Sequence, residues 1–369
     1  MSRIVISIFD DLHNPYYGGG GAVVVHEVAR RLAREHDVTV VAGSYASSRS
    51  YRAWGVNHVY LPAGWAGPRG GQLVFHLLLP LVALTRRYDL WIESFTPPHS
   101  TSLLPLFSRG RPVIGWAQML AGKDMSRRYR LPFAWMERRG LAAYKRVIVL
   151  NRIDRGLVLR SNARADVSMI PNGVVLPELT PSPGGDHILF LGRIDVKQKG
   201  LDLLLDAHAA APNALPLVIA GSGTAAQEQL LRSLLLGNDR VRLVGHATGV
   251  EKEALLRGCA FVVMPSRFET FGLSALEGMA YGKPVVAFDL PQIDWIVGDC
   301  AVRVPPLDVG ALAAAMERLS LDLPYRAALG ARARATAQGY DWDDIVGQYQ
   351  AVLDVALSAT RAPRRGGTD

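Results

Sequence analysis

The chain has 369 residues, more than a domain with a single hydrophobic core usually contains, and this length predicts two domains. With 49% hydrophobic and 20% charged residues it is typical of a globular protein, and disorder throughout is excluded. The two cysteines, Cys259 and Cys300, lack the spacing of a zinc site and make no disulfide framework. We therefore expect two buried thiols in a reducing cytoplasm.

The net charge of +8 is concentrated between Lys123 and Arg146, where basic residues far outnumber acidic ones. Such a segment fits an anionic membrane face or an anionic acceptor, or it is simply a solvated helical face. No nucleic-acid motif accompanies the charge, so we predict no nucleic-acid partner. No secretory signal is expected before the apolar run Ile4–Phe9. The sequence thus predicts a cytoplasmic protein, with peripheral contact at the inner face of the cell membrane as one alternative.

The apolar stretch Leu73–Leu84 is the most membrane-like part of the chain. It is shorter than the ~20 residues that a membrane-spanning helix needs, and it contains His76 and Pro80. We expect a core helix there.

Strand-like apolar runs alternate with helical patterns along the whole chain, which indicates parallel strands covered on both faces. The predicted strands are 4–9, 38–42, 90–93, 113–116, 147–150, 187–191, 217–220, 241–244, 260–264, 285–287 and 301–304. This α/β pattern occurs twice and predicts two facing Rossmann-like, doubly wound domains with ligands in the cleft between them.

The segment Pro171–Gly185 contains four prolines and three glycines and predicts the linker between the two domains. We assign residues 1–175 to the first domain and residues 176–341 to the second. The tail, residues 361–369, is expected to be disordered.

The first strand of the second domain ends in Gly192-Arg193, and a helix begins after Lys199-Gly200. A helix N-terminus attracts anions, and the two cations strengthen that attraction, so this loop is a candidate phosphate site. The next strands end in Gly221-Ser-Gly223 and in Gly245-His246, where tight turns allow close backbone approach to a nucleotide base.

The most informative segment is Glu269-Thr-Phe-Gly-Leu-Ser-Ala-Leu-Glu277, which follows a predicted strand that ends at Pro265-Ser266. Its two carboxylates are eight residues apart, roughly 12 Å if the segment is helical, about the distance from a ribose across a diphosphate to a hexose. The amides of Phe271, Gly272 and Leu273 open the helix and can meet phosphate or sugar hydroxyls.

Taken together, these motifs resemble the GT-B-fold retaining glycosyltransferases of glycosyltransferase family 4. The resemblance covers almost the whole C-terminal half. The matching motifs are Pro171–Val174, Gly192-Arg193, Lys199-Gly200, Gly221-Ser-Gly223, Pro265-Ser266 with Glu-x7-Glu, Gly282–Val286, Val304–Asp308 and the helix from Trp342.

The resemblance implies that Arg193 and Lys199 bind the donor diphosphate and stabilise the leaving nucleoside diphosphate. Glu277 would hold the ribose hydroxyls, and Glu269 would contact the transferred sugar. The donor-binding glycines would be Gly192, Gly221, Gly223, Gly245 and Gly272. The final helix, residues 342–360, would return to the first, acceptor-binding domain.

The first domain matches the family less closely. Its glycine-rich segment includes Gly19 and Gly20, which the resemblance places near the donor diphosphate. A dinucleotide fingerprint is disfavoured, because Val23 occupies its third glycine position and the second strand lacks an acidic ribose ligand.

Three residues at predicted strand ends are acceptor-side candidates, namely Glu93, His99 and Gln118. Gln118 stands where many family members have a histidine, and it cannot titrate near neutral pH. For His99 there are two alternatives, a structural role and a catalytic role at the acceptor.

The pair Asp341 and Asp343 fits the Asp-x-Asp metal pattern of other glycosyltransferases but precedes the last helix, so N-capping is the better explanation. We predict no metal and no cofactor.

The predicted function is retaining, metal-independent transfer of a hexosyl unit from a nucleotide diphosphate sugar to an acceptor hydroxyl. The acceptor is a sugar, a lipid-linked cell-envelope glycan or a natural product. The alternatives are a GT-B-fold nucleotide-sugar epimerase, which would convert donor without acceptor, and a non-catalytic nucleotide-sugar-binding module.

Overall fold

A computed structural model describes residues 1–14, 19–95, 101–178, 184–296 and 298–361. The chain forms two compact units. Unit 1 comprises residues up to Pro171 and from Trp342 onward, and unit 2 comprises Asn172–Asp341. The division falls four residues before the predicted boundary, and the return to unit 1 falls at the predicted residue.

Unit 1 contains one sheet of order β3-β4-β2-β1-β5-β6-β7-β8, in which every pair is parallel except β3 with β4. Its strands are β1 Arg3–Ser7, β2 Asp37–Gly43, β3 Tyr51–Ala53, β4 Val56–Leu61, β5 Leu90–Ser94, β6 Val113–Ala117, β7 Arg146–Val149 and β8 Asp166–Met169. Its α-helices are α1 Gly20–Leu32, α2 Gly67–Thr85, α3 Gly122–Tyr129, α4 Phe133–Leu141, α5 Arg152–Ser161 and α12 Trp342–Arg361.

Unit 2 contains one fully parallel sheet of order β11-β10-β9-β12-β13-β14. Its strands are β9 His187–Leu191, β10 Leu217–Ala220, β11 Val241–Gly245, β12 Cys259–Met264, β13 Val285–Phe288 and β14 Val302–Val304. Its helices are α6 Leu201–Ala210, α7 Ala225–Leu234, α8 Gly249–Gly258, α9 Leu273–Ala280, α10 Val309–Leu321 and α11 Leu323–Gln338. The predicted pair of Rossmann-like α/β domains is confirmed.

Both sheets owe their parallel arrangement to nearly continuous apolar strands. Every residue of β5, β6, β9 and β12 is buried, because helices cover both faces of the sheet. Cys259, which opens β12, and Cys300 are buried, as predicted.

Three strands of unit 1 were not predicted, namely β3, β4 and β8. β3 and β8 lie at the two edges of the sheet, where residues are partly exposed and carry no continuous apolar run. β4 interleaves buried with half-buried residues and includes Asn57 and His58. A polar edge strand has a weak sequence signal, because pairing with its neighbour rather than burial holds it in place.

The apolar stretch Leu73–Leu84 lies within α2. Phe75, Leu79 and Ala83 are buried in the core of unit 1, so the prediction of a core helix is correct for the side of α2 that carries these residues. Leu77 and Leu81, on the other side, are exposed. In the described part of the chain, no helix is long and apolar enough to cross a bilayer.

The Asp-x-Asp pattern lies at the start of α12. Asp341 immediately precedes the helix, and Asp343 pairs with Arg31 (2.5 Å) and Arg34 (3.5 Å) of unit 1. Trp342 is buried, and the guanidinium of Arg31 lies 5.9 Å from the centre of its ring. These contacts attach α12 to α1. The tail was predicted to be disordered from residue 361, but Arg361 is the last residue of α12 and that part of the prediction is wrong. Residues 362–369 lie outside the described residues.

Candidate functional site

The sheet of unit 2 has one switch point, between β9 and β12. The connection that follows β9 leads through α6 to β10 on one side, whereas α9 leads from β12 to β13 on the other. The two connections diverge above the carboxyl ends of these neighbouring strands and leave a crevice, where open α/β sheets bind ligands. The two predicted donor loops, residues 192–200 and 265–272, both start at this point.

Direct contacts join the two loops. Arg267 donates a forked pair of hydrogen bonds to Asp202 at the start of α6 (2.6 and 2.9 Å). Its backbone amide also donates to the carbonyl of Gln198 (2.9 Å). A bidentate Arg–carboxylate pair fixes both partners in one plane, so the loops form one rigid platform.

Gly200 shows how closely the loops approach. Its φ of +66° lies in the left-handed region, and a Cβ at this position would overlap the carbonyl of Pro265. Only glycine satisfies both conditions. The predicted Lys199-Gly200 motif therefore has a structural reason besides any contact with a ligand.

Lys199 and Glu269 form an ion pair with 2.6 Å between Nζ and Oε2, and their side chains are 19% and 13% exposed. Burial by itself raises the pKa of Glu269. The Lys199 ammonium, with hydrogen bonds from Thr270 and Ser266, outweighs burial and leaves that pKa below its ordinary value. Glu269 is therefore a carboxylate at neutral pH and not a proton donor.

Arg193 is exposed at the start of the first loop, and its Nη2 donates to the side-chain carbonyl of Gln198 (2.9 Å). The structure thus places two of the three residues predicted to be catalytic, Lys199 and Glu269, in direct contact. It places Arg193 on the same loop as Lys199.

The entry to α9 presents the predicted amides. Gly272 caps the helix with a φ of +85°, and Leu273 is its first residue. The carbonyl of Phe271 accepts a hydrogen bond from Trp295 Nε1 (2.8 Å), and the Trp295 ring stacks on the Phe271 ring at 4.8 Å. The Trp295 contact fixes this entry, a role that the sequence did not indicate.

Glu277 lies inside α9, and its Oε1 accepts a hydrogen bond from Lys252 Nζ at 2.7 Å. The lysine comes from the first turns of α8, which follows β11. Lys252 also escaped the sequence analysis, because a lysine in an exposed helix is usually solvated. Only the fold brings it beside Glu277.

The remaining residues that were predicted to bind the donor lie at the neighbouring strand ends. At Gly221 a Cβ would overlap the carbonyl of Gly192, so this glycine lets the ends of β9 and β10 pack backbone against backbone. Ile194 and Gly223 continue that contact as a parallel bridge. Gly245 ends β11 with a φ of +78°, and His246 is exposed, with its Nδ1 3.5 Å from Ser222 Oγ.

In unit 1 the switch point lies between β1 and β5. Gly19 caps α1 and Gly20 begins it, so the glycine-rich segment leads directly into a helix. Two acidic residues that the sequence analysis missed, Asp10 and Asp11, follow β1 and are buried there. A Cβ on Gly19 would lie 3.6 Å from the Asp10 carboxylate, so this helix start faces a carboxylate group.

Glu93 ends β5 but is only 1% exposed. Tyr144 donates its hydroxyl to one carboxylate oxygen (2.5 Å), and the Ser102 amide donates to the other (2.8 Å). Burial raises the pKa of Glu93 to about 7, although both hydrogen bonds oppose the rise. These contacts join Glu93 to Tyr144 and Ser102, and each of its carboxylate oxygens already accepts a hydrogen bond from the protein.

Gln118 follows β6 and is 9% exposed, and its Nε2 has no hydrogen-bond partner in the described part of the chain. The third acceptor-side candidate, His99, lies outside the described residues.

Comparison with known proteins identifies the sequence families to which the two units are similar. A family model described as Glycosyltransferase Family 4 matches residues 18–177, and one described as Glycosyl transferases group 1 matches residues 185–322. The chain is 32% identical over 212 residues to a phosphatidyl-myo-inositol mannosyltransferase of Mycobacterium leprae. That match covers 53% of this chain and 56% of the relative, so it spans about half the length of the curated protein.

Solved structures share the fold along nearly the whole chain. A sucrose-phosphate synthase from Thermosynechococcus elongatus has a TM-score of 0.81 at 20% identity and covers 97% of this chain and 100% of its own. Anabaena HepE in complex with UDP-glucose has a TM-score of 0.75 at 18% identity, and the match covers 96% of this chain and 100% of the HepE chain. The two family models match successive segments that together make up about four fifths of the sequence. The chain therefore belongs to the glycosyltransferases of group 1, family 4.

Proposed function

We propose that the protein transfers a hexosyl unit from a nucleoside diphosphate sugar to an acceptor hydroxyl, with retention at the anomeric carbon and without a metal ion. The observation that carries the proposal is the platform at the switch point of unit 2. Two strand-end loops are joined there by Arg267 and Asp202, and they hold Lys199 against Glu269 beside the start of α9.

The platform suits a diphosphate leaving group. In the reaction the bond between the anomeric carbon and the diphosphate oxygen breaks, and negative charge develops on the diphosphate. Arg193 and Lys199 supply positive charge, and the start of α9 supplies free amides, in the place of a metal ion. HepE was crystallised with UDP-glucose, which supports a nucleoside diphosphate hexose as the donor class.

The groups available for proton transfer support the proposed retention. Glu269 is held as a carboxylate by Lys199, so it does not act as the general acid of a glycosidase-like pair. In the proposed step the acceptor hydroxyl attacks from the side on which the diphosphate leaves. Its proton passes to a diphosphate oxygen, and the products are the glycoside and the nucleoside diphosphate.

The test is turnover of UDP-, GDP- and ADP-hexoses with and without candidate acceptors, followed by NMR of the product. We expect a product with the donor's anomeric configuration, undiminished by EDTA, and a loss of roughly 10²–10³-fold for Arg193→Ala. Conversion of a donor without acceptor would support the epimerase. Binding without any turnover would support the non-catalytic module, and an inverted product or EDTA sensitivity would overturn the mechanism.

We further propose a lipid-linked acceptor, reached from an anionic membrane surface on which unit 1 docks. Right-handed crossovers place α2, α4 and residues 101–112, before β6, on one face of the sheet. Exposed apolar side chains occur on each of them, including Leu77, Leu81, Leu106 and Trp135. We call this surface the docking face.

Charge supports the same partner. Residues 64–141 contain eleven Lys and Arg but four Asp and Glu, a difference of +7 against +8 for the whole chain. Of the four acidic residues, Glu93 is buried and Asp89 is paired with Arg3. Exposed apolar side chains on a segment with an excess of cations fit anionic lipid headgroups above an acyl layer.

The membrane test is sedimentation with phosphatidylcholine vesicles that contain or lack phosphatidylglycerol, at low and high salt. We expect binding only with phosphatidylglycerol and weakening at high salt. Trp135→Ser (60% exposed) should reduce it, whereas Leu236→Ser in unit 2 (84% exposed) should not. Absence of binding at low salt would remove the membrane proposal and leave the reaction proposal intact.

A further inference from the structure

The two carboxylates of the Glu-x7-Glu segment share an arrangement that the sequence does not reveal. Each is paired with a lysine from a separate element. Glu269 is paired with Lys199 from the loop after β9, and Glu277 with Lys252 from α8, at 2.6 and 2.7 Å. The paired lysine is part of the family motif at Glu269, but Lys252 belongs to no motif in the chain.

We propose that Lys252 is a positioning residue for donor recognition. It holds the Glu277 carboxylate in the orientation that accepts the ribose hydroxyls, and it offsets the charge of that carboxylate when the anionic donor binds. The inference rests on the proposed function, because it requires a nucleoside diphosphate at this site.

Geometry supports the orienting role. The bond engages Oε1 of Glu277, and within the described part of the chain no protein group bonds its Oε2. A glutamate side chain in a helix has three rotatable bonds, and fixing it beforehand lowers the entropy lost on binding. With Lys252 on one oxygen, the second oxygen is available to accept a hydrogen bond from a hydroxyl.

Electrostatics supports the second role. A nucleoside diphosphate is strongly anionic, and a lone carboxylate near its ribose would repel it. Lys252 makes the pair neutral before the donor arrives, as Lys199 does for Glu269. The side chains of Lys252 and Glu277 are 34% and 23% exposed, and such pairs contribute little to stability. An effect on ligand binding is therefore separable from an effect on folding.

The experiment measures calorimetric affinity for UDP, GDP and ADP. The tightest of these is then compared with its 2′-deoxy counterpart, in the full-length wild type and in variants. We expect the wild type to bind the ribose form more tightly, and Lys252→Met to lose about tenfold in affinity for it. The same variant should lose much less affinity for the 2′-deoxy form. Its ratio of affinities for the ribose and 2′-deoxy forms should therefore approach the ratio measured for Glu277→Ala. Lys252→Arg should restore most of the affinity, because the cation is kept.

Arg257→Gln is the matched control, since Arg257 lies on the same helix but pairs with Glu253. It should bind both forms as the wild type does, and all variants should keep the wild-type melting temperature within a few degrees. If Lys252→Met keeps the wild-type discrimination, or the wild type shows none, the inference is wrong. If the wild type binds none of the three diphosphates, the proposed function itself fails.

Discussion

The two units have the same topology at their switch points but place opposite chemistry there. In unit 2 the strand ends carry Arg193 and Lys199, and the carboxylate of Glu269 is neutralised by a lysine. In unit 1 they carry Asp10, Asp11 and Glu93, all buried. A cationic platform suits a diphosphate, whereas buried carboxylates suit hydroxyl and amide donors.

The difference teaches that shared topology fixes where a ligand binds but not which ligand binds there. The glycine-rich start of α1 resembles a phosphate site in sequence, yet it faces the carboxylate group of Asp10. The amides of a helix start attract any anion, whether a protein carboxylate or a phosphate. Gly19 and Gly20 therefore stay a prediction as donor ligands.

The largest effect is expected at the platform of unit 2. Lys199→Met should lower kcat/KM by roughly 10²–10³-fold, because it removes a cation from the leaving group. It should also cost on the order of 3 kcal/mol of unfolding free energy, since a largely buried carboxylate loses its partner. Turnover of donor and urea unfolding measure the two effects. Arg232→Gln, on the exposed part of α7, should leave both unchanged.

The pH dependence of that loss has a definite sign. The folded-state pKa of Glu269 lies below its ordinary value of 4.5, so the pair stabilises the wild type above that pH. The contribution disappears as the pH falls through the folded-state pKa. The difference between wild type and Lys199→Met should therefore shrink below about pH 4.5. A difference independent of pH would show that Lys199 acts otherwise than through Glu269.

A smaller effect, of opposite sign in pH, is expected in unit 1. Burial raises the pKa of Glu93 to about 7 from 4.5, so the folded protein binds a proton that the unfolded chain has released. Between these values stability falls as the pH rises, by on the order of 3 kcal/mol in total. Glu93→Gln removes this dependence, and an amide still suits Tyr144 and Ser102 as partners.

The measurement is urea unfolding of wild type and Glu93→Gln from pH 4.5 to 8. The unfolding free energy of the variant minus that of the wild type should increase as the pH rises to about 7, and above that pH the difference should stay constant. Parallel curves would contradict the assignment. A Glu93→Gln variant that stays folded but loses turnover would place Glu93 in the acceptor site and remove the contrast between the units.

The smallest effect is expected at Asp343, which is more than half exposed in its pair with Arg31. Asp343→Asn should change the unfolding free energy by less than about 1 kcal/mol and leave donor turnover as in the wild type. Added Mn²⁺ should make no difference to either protein. Lost turnover that Mn²⁺ restores would place a metal at the Asp-x-Asp pattern and overturn the metal-free mechanism.

The sequence by itself determined the two α/β domains, their boundary within a few residues, and the family. It did so because buried parallel strands are continuous apolar runs and because the Lys199-Gly200 and Glu269–Glu277 motifs are local in sequence. Because the predicted strands pair in parallel, their carboxyl ends lie at one edge of the sheet, and the loops that carry these motifs meet at the switch point of unit 2. The edge strands β3 and β8, with mixed polarity, had no such signal.

Tertiary structure alone decided the partners of the functional groups. Lys252 is 25 residues from Glu277, Trp295 is 24 from Phe271, and Tyr144 is 51 from Glu93. No local pattern marks such pairs, because their contacts depend on how α8, α9 and the strands pack. The same packing buried Glu93, which its position at a strand end had predicted to face the acceptor. The sequence thus identified Arg193, Lys199 and Glu93 near strand ends but missed Asp10 and Asp11, and only the packing decided which of these groups are buried.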